Sequence, residues 1–339
     1  MCCLIDCLLC PSVLWAALIG GAIYFLKDYM QGGQFKKDTD ETGKVFIVTG
    51  ANTGIGKETV REIAKRGGTV YMACRDMNRC EQARLEIVKE TNNRNIFSRV
   101  LDLSSLDSVR EFVAGFKKEQ DKLHVLINNA GVMRCPKALT KDGFEMQLGV
   151  NHMGHFLLTN LLLDVLKVLT GPIDFSKISR PLVALSSFLA WHTRAINVDD
   201  LNSEKSYSEA DADSQSKFAN VLFTRELASR SKGTGVTVNS LHPGVVDTEL
   251  ARNWAFLQTN FVNYVTYFLK HIIWPLLKTP KSGAQTSIYA SLDRDLDGVT
   301  GLYFSDCKPK DVAPAGKDDK TAKFLWKESE KWTGLVSSK

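Results

Sequence analysis

The tightest constraint on this chain is an apolar run, Val45-Phe46-Ile47-Val48-Thr49, that leads directly into Gly50-Ala51-Asn52-Thr53-Gly54-Ile55-Gly56 and then a segment of helical periodicity. A buried strand, a glycine-rich turn and a helix in that order restrict the backbone severely. Gly50 lets the chain leave the strand sharply, and Gly54 and Gly56 keep side chains out of the space between turn and helix. The first amides of the helix then point outward, where they stabilise an anion. Backbone at this spacing can approach a pyrophosphate, so the segment is expected to bind a dinucleotide through Gly50, Asn52, Thr53, Gly54, Ile55 and Gly56.

After this unit, strand and helix patterns alternate. Strands are expected at Thr69–Cys74, Phe97–Leu101, Val125–Asn128, Leu182–Ser186 and Val236–Leu241, with helices over 54–66, 76–90, 107–118, 145–169 and 211–230. Such alternation predicts an α/β fold, a doubly wound parallel sheet of Rossmann-like type in one domain, covered on both faces. No internal repeat or low-complexity tract interrupts it. The 339 residues suffice for one large core, with 44% apolar and 24% charged residues. A net charge of +5 without a basic, aromatic-interleaved helix argues against nucleic-acid binding. Of eight cysteines, none makes a Cys-x-x-Cys pair with a partner pair or histidines at metal-ligand spacing, so no metal site is expected. Their scatter suits a reducing compartment.

The N-terminus is of a different character. Cys7 to Leu26 carries no charge, and as a helix it would be about 30 Å long, enough to span a bilayer core. A cleaved signal peptide normally begins with positive charge, and here only Asp6 precedes the run, which favours a retained transmembrane anchor over 1–26. Lys27, Lys36, Lys37 and Lys44 follow, placing the domain on the cytosolic side. Acylation of the flanking cysteines is left open. Residues 27–43 read as a linker, 44–310 as the domain and 311–339 as a polar tail without a motif.

The second strand ends Cys74-Arg75-Asp76. An arginine there can pair with the 2′-phosphate of NADP, an acidic residue with the ribose hydroxyls of NAD, and Arg75 stands first. Further along come Asn128-Asn129-Ala130-Gly131, Asn151, Ser186-Ser187, Lys217 and Pro243-Gly244. Taken together, these motifs resemble the short-chain dehydrogenase/reductase superfamily. Asn151-His152-Met153-Gly154-His155-Phe156 and Leu201-Asn202-Ser203-Glu204-Lys205 look most like its retinol-dehydrogenase branch. The resemblance covers about residues 40–310. It implies NADP(H) in preference to NAD(H), Asp102 at the adenine amine, and Asn129, Ala130 and Gly131 beside the adenine ribose. It further implies that Pro243, Gly244, Val246 and Thr248 cover the nicotinamide. Ser187 would meet the substrate oxygen, Asn151 would hold a water of the proton relay, and Lys217 would bind the nicotinamide ribose.

The family's acid/base is the tyrosine of Tyr-x-x-x-Lys, and this chain reads Asp213-Ser214-Gln215-Ser216-Lys217. A phenol near pKa 10 suits protonation of an alkoxide once a cation draws it down. A carboxyl near 3.9 beside a lysine is expected to ionise, and at i,i+4 the two should form an ion pair on the helix surface. Tyr207, ten residues before Lys217, lies off the lysine's helical face and reads as packing. Three outcomes stand open: a cofactor-binding protein with little activity, an isolated variant of an active enzyme, or different chemistry at Asp213. The aromatic-rich stretch 253–278 lies where the family has its substrate lid. It suits a retinoid, steroid or fatty aldehyde, and equally a subunit interface, so homo-oligomerisation stays open. The expected activity is that of an oxidoreductase of lipophilic alcohols or carbonyls at the endoplasmic reticulum or another intracellular membrane, with an inactive cofactor-binding scaffold as the alternative.

Overall fold

The computed structural model describes residues 11–167, 180–185, 196–249 and 276–335. Among the described residues eight strands form one sheet, in the order β3-β2-β1-β4-β5-β6-β7-β8. The strands are β1 Val45–Thr49, β2 Thr69–Cys74, β3 Ile96–Val100, β4 Val125–Asn128, β5 Arg180–Leu185, β6 Val236–His242, β7 Tyr303–Ser305 and β8 Lys308–Pro309. All neighbours pair in parallel until β8, which turns back antiparallel to β7. The chain order reverses between β1 and β4, and such a switch point opens a crevice at the carboxyl ends of the strands. The expected doubly wound sheet is present.

Both faces are covered, as the unbroken apolar strands require. One layer is built from α2 (Gly54–Lys65), α3 (Met77–Thr91) and α7 (Pro280–Leu292). Val60, Ile63, Cys80, Ile87, Ala284 and Ile288 pack there on Phe46, Val48, Val70 and Met72. The other layer holds α4 (Leu106–Glu119), α5 (Gly154–Lys167), α6 (Glu209–Arg230) and α8 (Asp319–Trp332). Phe112, Phe116, Phe156, Leu162, Phe223 and Trp326 meet Ile47, Tyr71 and Leu126 on that side.

Two segments set apart by their polarity are integral to the fold. Within the stretch read as a tail, α8 buries Ala322, Leu325 and Trp326. The Trp326 indole stacks on Phe223 at 5.8 Å between ring centroids and meets Phe156 edge-on at 5.0 Å. The stretch read as a linker is a strap along α7. Phe35 N donates to Gln285 Oε1 at 2.9 Å, Lys37 bonds Asp293 at 2.6 Å, and the Arg66 guanidinium donates to Lys37 O at 2.8 Å.

Ahead of the strap, α1 (Pro11–Met30) continues past Leu26 and exposes Trp15, Leu18, Ile19, Tyr24, Phe25 and Tyr29. Among the described residues no helix is long and apolar enough to cross a membrane. Cys7–Cys10, the first part of the predicted span, lies outside the described residues.

Trp326→Ala should lower unfolding stability by about 3–5 kcal/mol, the usual cost of deleting a buried aromatic, whereas Trp326→Phe should recover most of it. Urea titration followed by circular dichroism checks this, and an alanine variant of wild-type stability would show α8 to be dispensable.

Candidate functional site

The glycine turn lies at the head of the crevice. Gly50 and Gly54 have φ of +63° and +56°, the left-handed region where a β-carbon is strained. A β-carbon on Gly56 would come within 2.4 Å of Gly50 O and 2.5 Å of Asn129 Nδ2. Asn129 Nδ2 donates to Thr49 O at 2.8 Å and Gly50 O at 3.2 Å, so the β4 turn braces the phosphate-type turn from beneath. Thr53, at the N-cap of α2, makes no side-chain capping bond, which leaves the helix start to its backbone amides. This cradle fits a dinucleotide pyrophosphate through Gly50, Asn52, Thr53, Gly54, Ile55 and Gly56.

At the end of β2 the two competing side chains separate. Asp76 accepts from Arg79 N at 3.1 Å and caps α3, while Arg75 is exposed at the rim. Asp102 lies across from them after β3. Burial pushes its carboxyl up, but bonds from Ser104 Oγ at 2.6 Å and Ser104 N at 3.0 Å outweigh this and hold it below the usual value. Beyond β6, Gly244 has φ +95° and the loop is zipped to Lys278: Lys278 N donates to Val245 O at 2.9 Å and Asp247 N to Lys278 O at 3.0 Å. Val246 and Ile55 meet over Gly283, where a β-carbon would lie 2.6 Å from Val246 Cγ2 and 3.3 Å from Ile55 Cγ1. Thr248 closes on the glycine turn, its Cγ2 3.2 Å from where Gly54 would carry a β-carbon.

The reacting end of the crevice is assembled from β4, α5 and α6. Ahead of α5 the chain makes a π-helical turn, Gly149–Met153, in which Gly154 N bonds Gly149 O. Such turns frequently mark functional positions, and this one carries Asn151. Its Oδ1 accepts from Val132 N at 2.8 Å, and its Nδ2 donates to Val132 O at 2.9 Å and Ser216 Oγ at 2.8 Å. Ser216 Oγ donates in turn to Asp213 O at 2.8 Å. A β-carbon on Gly131 would sit 2.9 Å from Lys217 Nζ and 3.1 Å from Asn151 Oδ1, so Asn151, Lys217 and Gly131 converge on one spot. Ser187 lies outside the described residues, as does most of the 253–278 stretch.

Asp213 departs from expectation. It is not on the helix surface: it is 0% exposed and Lys217 only 7%. Burial pushes the Asp213 carboxyl up, with the Lys217 and Arg134 charges pulling the other way, so the expected lowering is corrected in direction. Burial likewise lowers Lys217, against the attraction of Asp213. Among the described residues neither carboxyl oxygen has a hydrogen-bond partner. Unlike a surface pair in water, both charged forms here lose hydration, and desolvation outweighs their attraction. Tyr207 is held elsewhere: its hydroxyl donates to Cys135 O at 2.5 Å and accepts from Gln147 Nε2 at 3.3 Å, and burial pushes it up to about 12.

Two residues around Asp213 carry no sequence signal of their own. Arg134 has φ +46°, a strained conformation for arginine, and its amide donates to Gln147 Oε1 at 2.6 Å. Glu145 is buried and accepts from Gln147 N at 2.9 Å and Leu148 N at 2.7 Å, so its carboxylate is committed to capping that turn.

An acid whose folded value lies above its unfolded value costs stability as pH rises between the two, since the unfolded chain has already released a proton that the folded chain retains. Asp213→Asn, which cannot ionise, should therefore be more stable than wild type at pH 7. Its advantage should shrink as pH falls through the raised folded value and be gone by about 4, the ordinary carboxyl value. Urea unfolding of both chains from pH 4 to 8 checks this, and a less stable asparagine form at pH 7 would mean the Lys217 attraction wins.

The comparisons agree with this geometry. The short chain dehydrogenase family profile matches residues 44–173 and 184–256. Retinol dehydrogenase 13 of Homo sapiens is 49% identical over 318 residues, covering 94% of this chain and 92% of its own length. Retinol dehydrogenase 12 of Homo sapiens is 47% identical over 310 residues, 91% of this chain and 92% of its own. Among solved structures, an uncharacterised protein from Mycobacterium paratuberculosis superposes with a TM-score of 0.69 at 34% identity, covering 89% of this chain and 98% of that one. A 3-ketoacyl-(acyl-carrier-protein) reductase from Brucella melitensis, complexed with NADH, shares the fold at a TM-score of 0.59 and 21% identity, over 78% of this chain and 97% of that one. The chain belongs to the short-chain dehydrogenase family, in its retinol-dehydrogenase-like branch.

Proposed function

We propose that this chain is a membrane-anchored, NADP(H)-linked oxidoreductase of lipophilic alcohols and carbonyls, of the retinoid, steroid or fatty-aldehyde class, with turnover limited by Asp213. The convergence of Asn151, Lys217 and Gly131 at the end of the crevice carries this reading. The names of its relatives, retinol dehydrogenases 12 and 13, point to a retinoid. A bound nicotinamide would donate a hydride to a carbonyl or accept one from an alcohol. Lys217 places a buried positive charge where the nicotinamide ribose would lie, and the Asn151–Ser216 chain holds that end of the site rigid. What is missing is a group that reaches the substrate oxygen with a proton. The Asp213 carboxyl is several ångströms shorter than a phenol, and once ionised it repels a developing oxyanion instead of protonating it.

Exposed Arg75 favours NADP(H), since Asp76 is engaged as a helix cap. The membrane anchor draws support from the uncharged run Cys7–Leu26, from the apolar side chains α1 exposes, and from the lysines that follow it on the cytosolic side. A second reading, a cofactor-binding scaffold without turnover, is favoured by one observation. The Asp213 carboxyl makes no hydrogen bond to the Asn151–Ser216 chain or to any other described group.

NADPH binding and all-trans-retinal reduction, measured on the purified chain beside Asp213→Tyr, test the proposal. The tyrosine form should turn over about 10²–10⁴-fold faster, the usual contribution of general acid–base catalysis. Equal rates would refute the role given to Asp213, and cofactor binding without turnover in either form would favour the scaffold. Arg75→Ala should weaken NADPH roughly ten- to a hundredfold, as for loss of a hydrogen bond between charged groups, and leave NADH nearly unchanged. Equal loss for both cofactors would remove Arg75 from the 2′-phosphate.

A further inference from the structure

The face of β2 turned toward α2 and α3 carries a feature that hydride transfer does not use. Cys74 ends β2, Cys80 lies in the first turn of α3, and their sulfurs are 2.8 Å apart. Both are buried, at 2% and 0% exposure, under Ala51 of the glycine turn. The backbone N–H groups of Ala51 and Asn52 act on the Cys74 thiol from the glycine turn, drawing it down against burial, so a thiol lies beneath the pyrophosphate cradle. Cys80 Sγ also donates to Met72 O at 3.6 Å. Between the two cysteines runs the Arg75-Asp76 corner, which carries the arginine offered to the 2′-phosphate.

We propose that Cys74 and Cys80 form an oxidisable dithiol whose conversion to a disulfide weakens binding of the dinucleotide at the turn above it. This rests on the cofactor reading given above. The contact between the sulfurs has a chemical consequence: sharing a hydrogen bond with Cys74 holds the Cys80 thiol below its ordinary value, while the same bond and burial push Cys74 up. Cys80 is therefore the attacking sulfur. Its thiolate attacks the distal oxygen of a hydroperoxide; the O–O bond breaks, the sulfur keeps that oxygen as a sulfenic acid, and the displaced alkoxide takes up the thiol's proton and leaves as an alcohol, or as water from hydrogen peroxide. Cys74 then attacks the Cys80 sulfur, the S–O bond breaks, and water leaves. In sum, two thiols and one hydroperoxide give a disulfide, an alcohol and water, with two electrons passing from the sulfurs to the O–O bond.

Closing the bond shortens the S–S separation by on the order of 0.8 Å. Cys74 Sγ is drawn toward α3 and away from the backbone of Ala51 and Asn52, whose N–H groups act on it. The turn they belong to is the one whose backbone must sit correctly for the pyrophosphate. The disulfide also ties the Arg75-Asp76 corner at both ends. The effect on the cofactor is thus transmitted by backbone, without any contact between sulfur and ligand.

The experiment uses the full chain in detergent, reduced with dithiothreitol or treated with hydrogen peroxide and then re-reduced. Trypsin cuts after Arg75 and Arg79, so the disulfide appears by mass spectrometry as two peptides joined through Cys74 and Cys80. NADPH titration of each form should show affinity about tenfold weaker when oxidised, within the range of ordinary site-to-site coupling, and restored on re-reduction. By reciprocity, saturating NADPH should make the dithiol potential about 30 mV less negative, the equivalent of tenfold for a two-electron couple. Cys80→Ala should bind NADPH as the reduced chain does and lose the peroxide response. Should that variant not fold, the reversible wild-type titration decides alone. The proposal fails if no Cys74–Cys80 peptide forms, or if it forms and NADPH affinity is unchanged. A reduced chain that does not bind NADPH overturns the cofactor reading itself, and this inference with it.

Discussion

One hydroxyl holds the two halves of the crevice together. Thr49, the last residue of the central strand β1, is fully buried. Its Oγ1 accepts from Asn129 N and Ala130 N, each at 2.9 Å. The hydroxyl proton goes to His155 Nε2, also at 2.9 Å, because His155 Nδ1 faces the Asn151 carbonyl at 3.1 Å and must donate there. Burial lowers His155 to about 4, so the ring stays neutral and this tautomer is held. Through one atom, the strand that precedes the glycine turn is joined to the β4 turn and to α5, which follows the π-turn that carries Asn151. A buried hydroxyl with all its bonds made gives rigidity that apolar packing alone would not.

The same economy recurs behind the site. His152 Nδ1 faces Asn220 Oδ1 at 3.3 Å and its Nε2 meets Ser329 Oγ at 2.9 Å, while Asn220 Nδ2 donates to Asn151 O at 3.1 Å. The C-terminal helix α8 is thereby coupled to the π-turn, and burial keeps His152 neutral, near 4. Asp213 stands outside this pattern. Near it Asn151, Ser216 and Tyr207 belong to bonded chains, yet its own oxygens have no partner among the described residues. An orphaned buried carboxyl is costly, so this position is locally unfavourable. That juxtaposition of an ordered scaffold and an ill-fitting acid is the central physical fact about this site.

Much of this is legible in the sequence. Parallel strands buried on both faces leave long apolar runs, and β1 through β6 were placed from them to within a residue or two. The glycine turn declared itself because its backbone angles admit little else. Segments whose stability comes from distant partners were not legible. β7 has only three residues, too few to show a period. α8 does carry an apolar stripe at helical spacing, Ala322, Leu325 and Trp326, which the reading of 311–339 as a polar tail passed over. Residues 27–43 look like a linker because the partners that fix them, Gln285, Asp293 and Asp295, lie some 250 positions away.

By itself the sequence determined the doubly wound sheet, the phosphate-type turn and the substitution at the tyrosine position, because each follows from local backbone freedom or residue identity. The environment of that substitution was decided only by the tertiary structure. Spacing alone put Asp213 and Lys217 on one helical face and suggested an exposed ion pair; packing of α6 against the rest of the domain buried both and reversed the expected direction for the carboxyl. The meeting of Cys74 and Cys80 beneath the turn is equally a product of packing, since six residues of separation say nothing about which way a strand end and a helix start will face. Local sequence sets the conformations open to the backbone; the charge a buried group carries depends on what surrounds it, and only the folded chain supplies that.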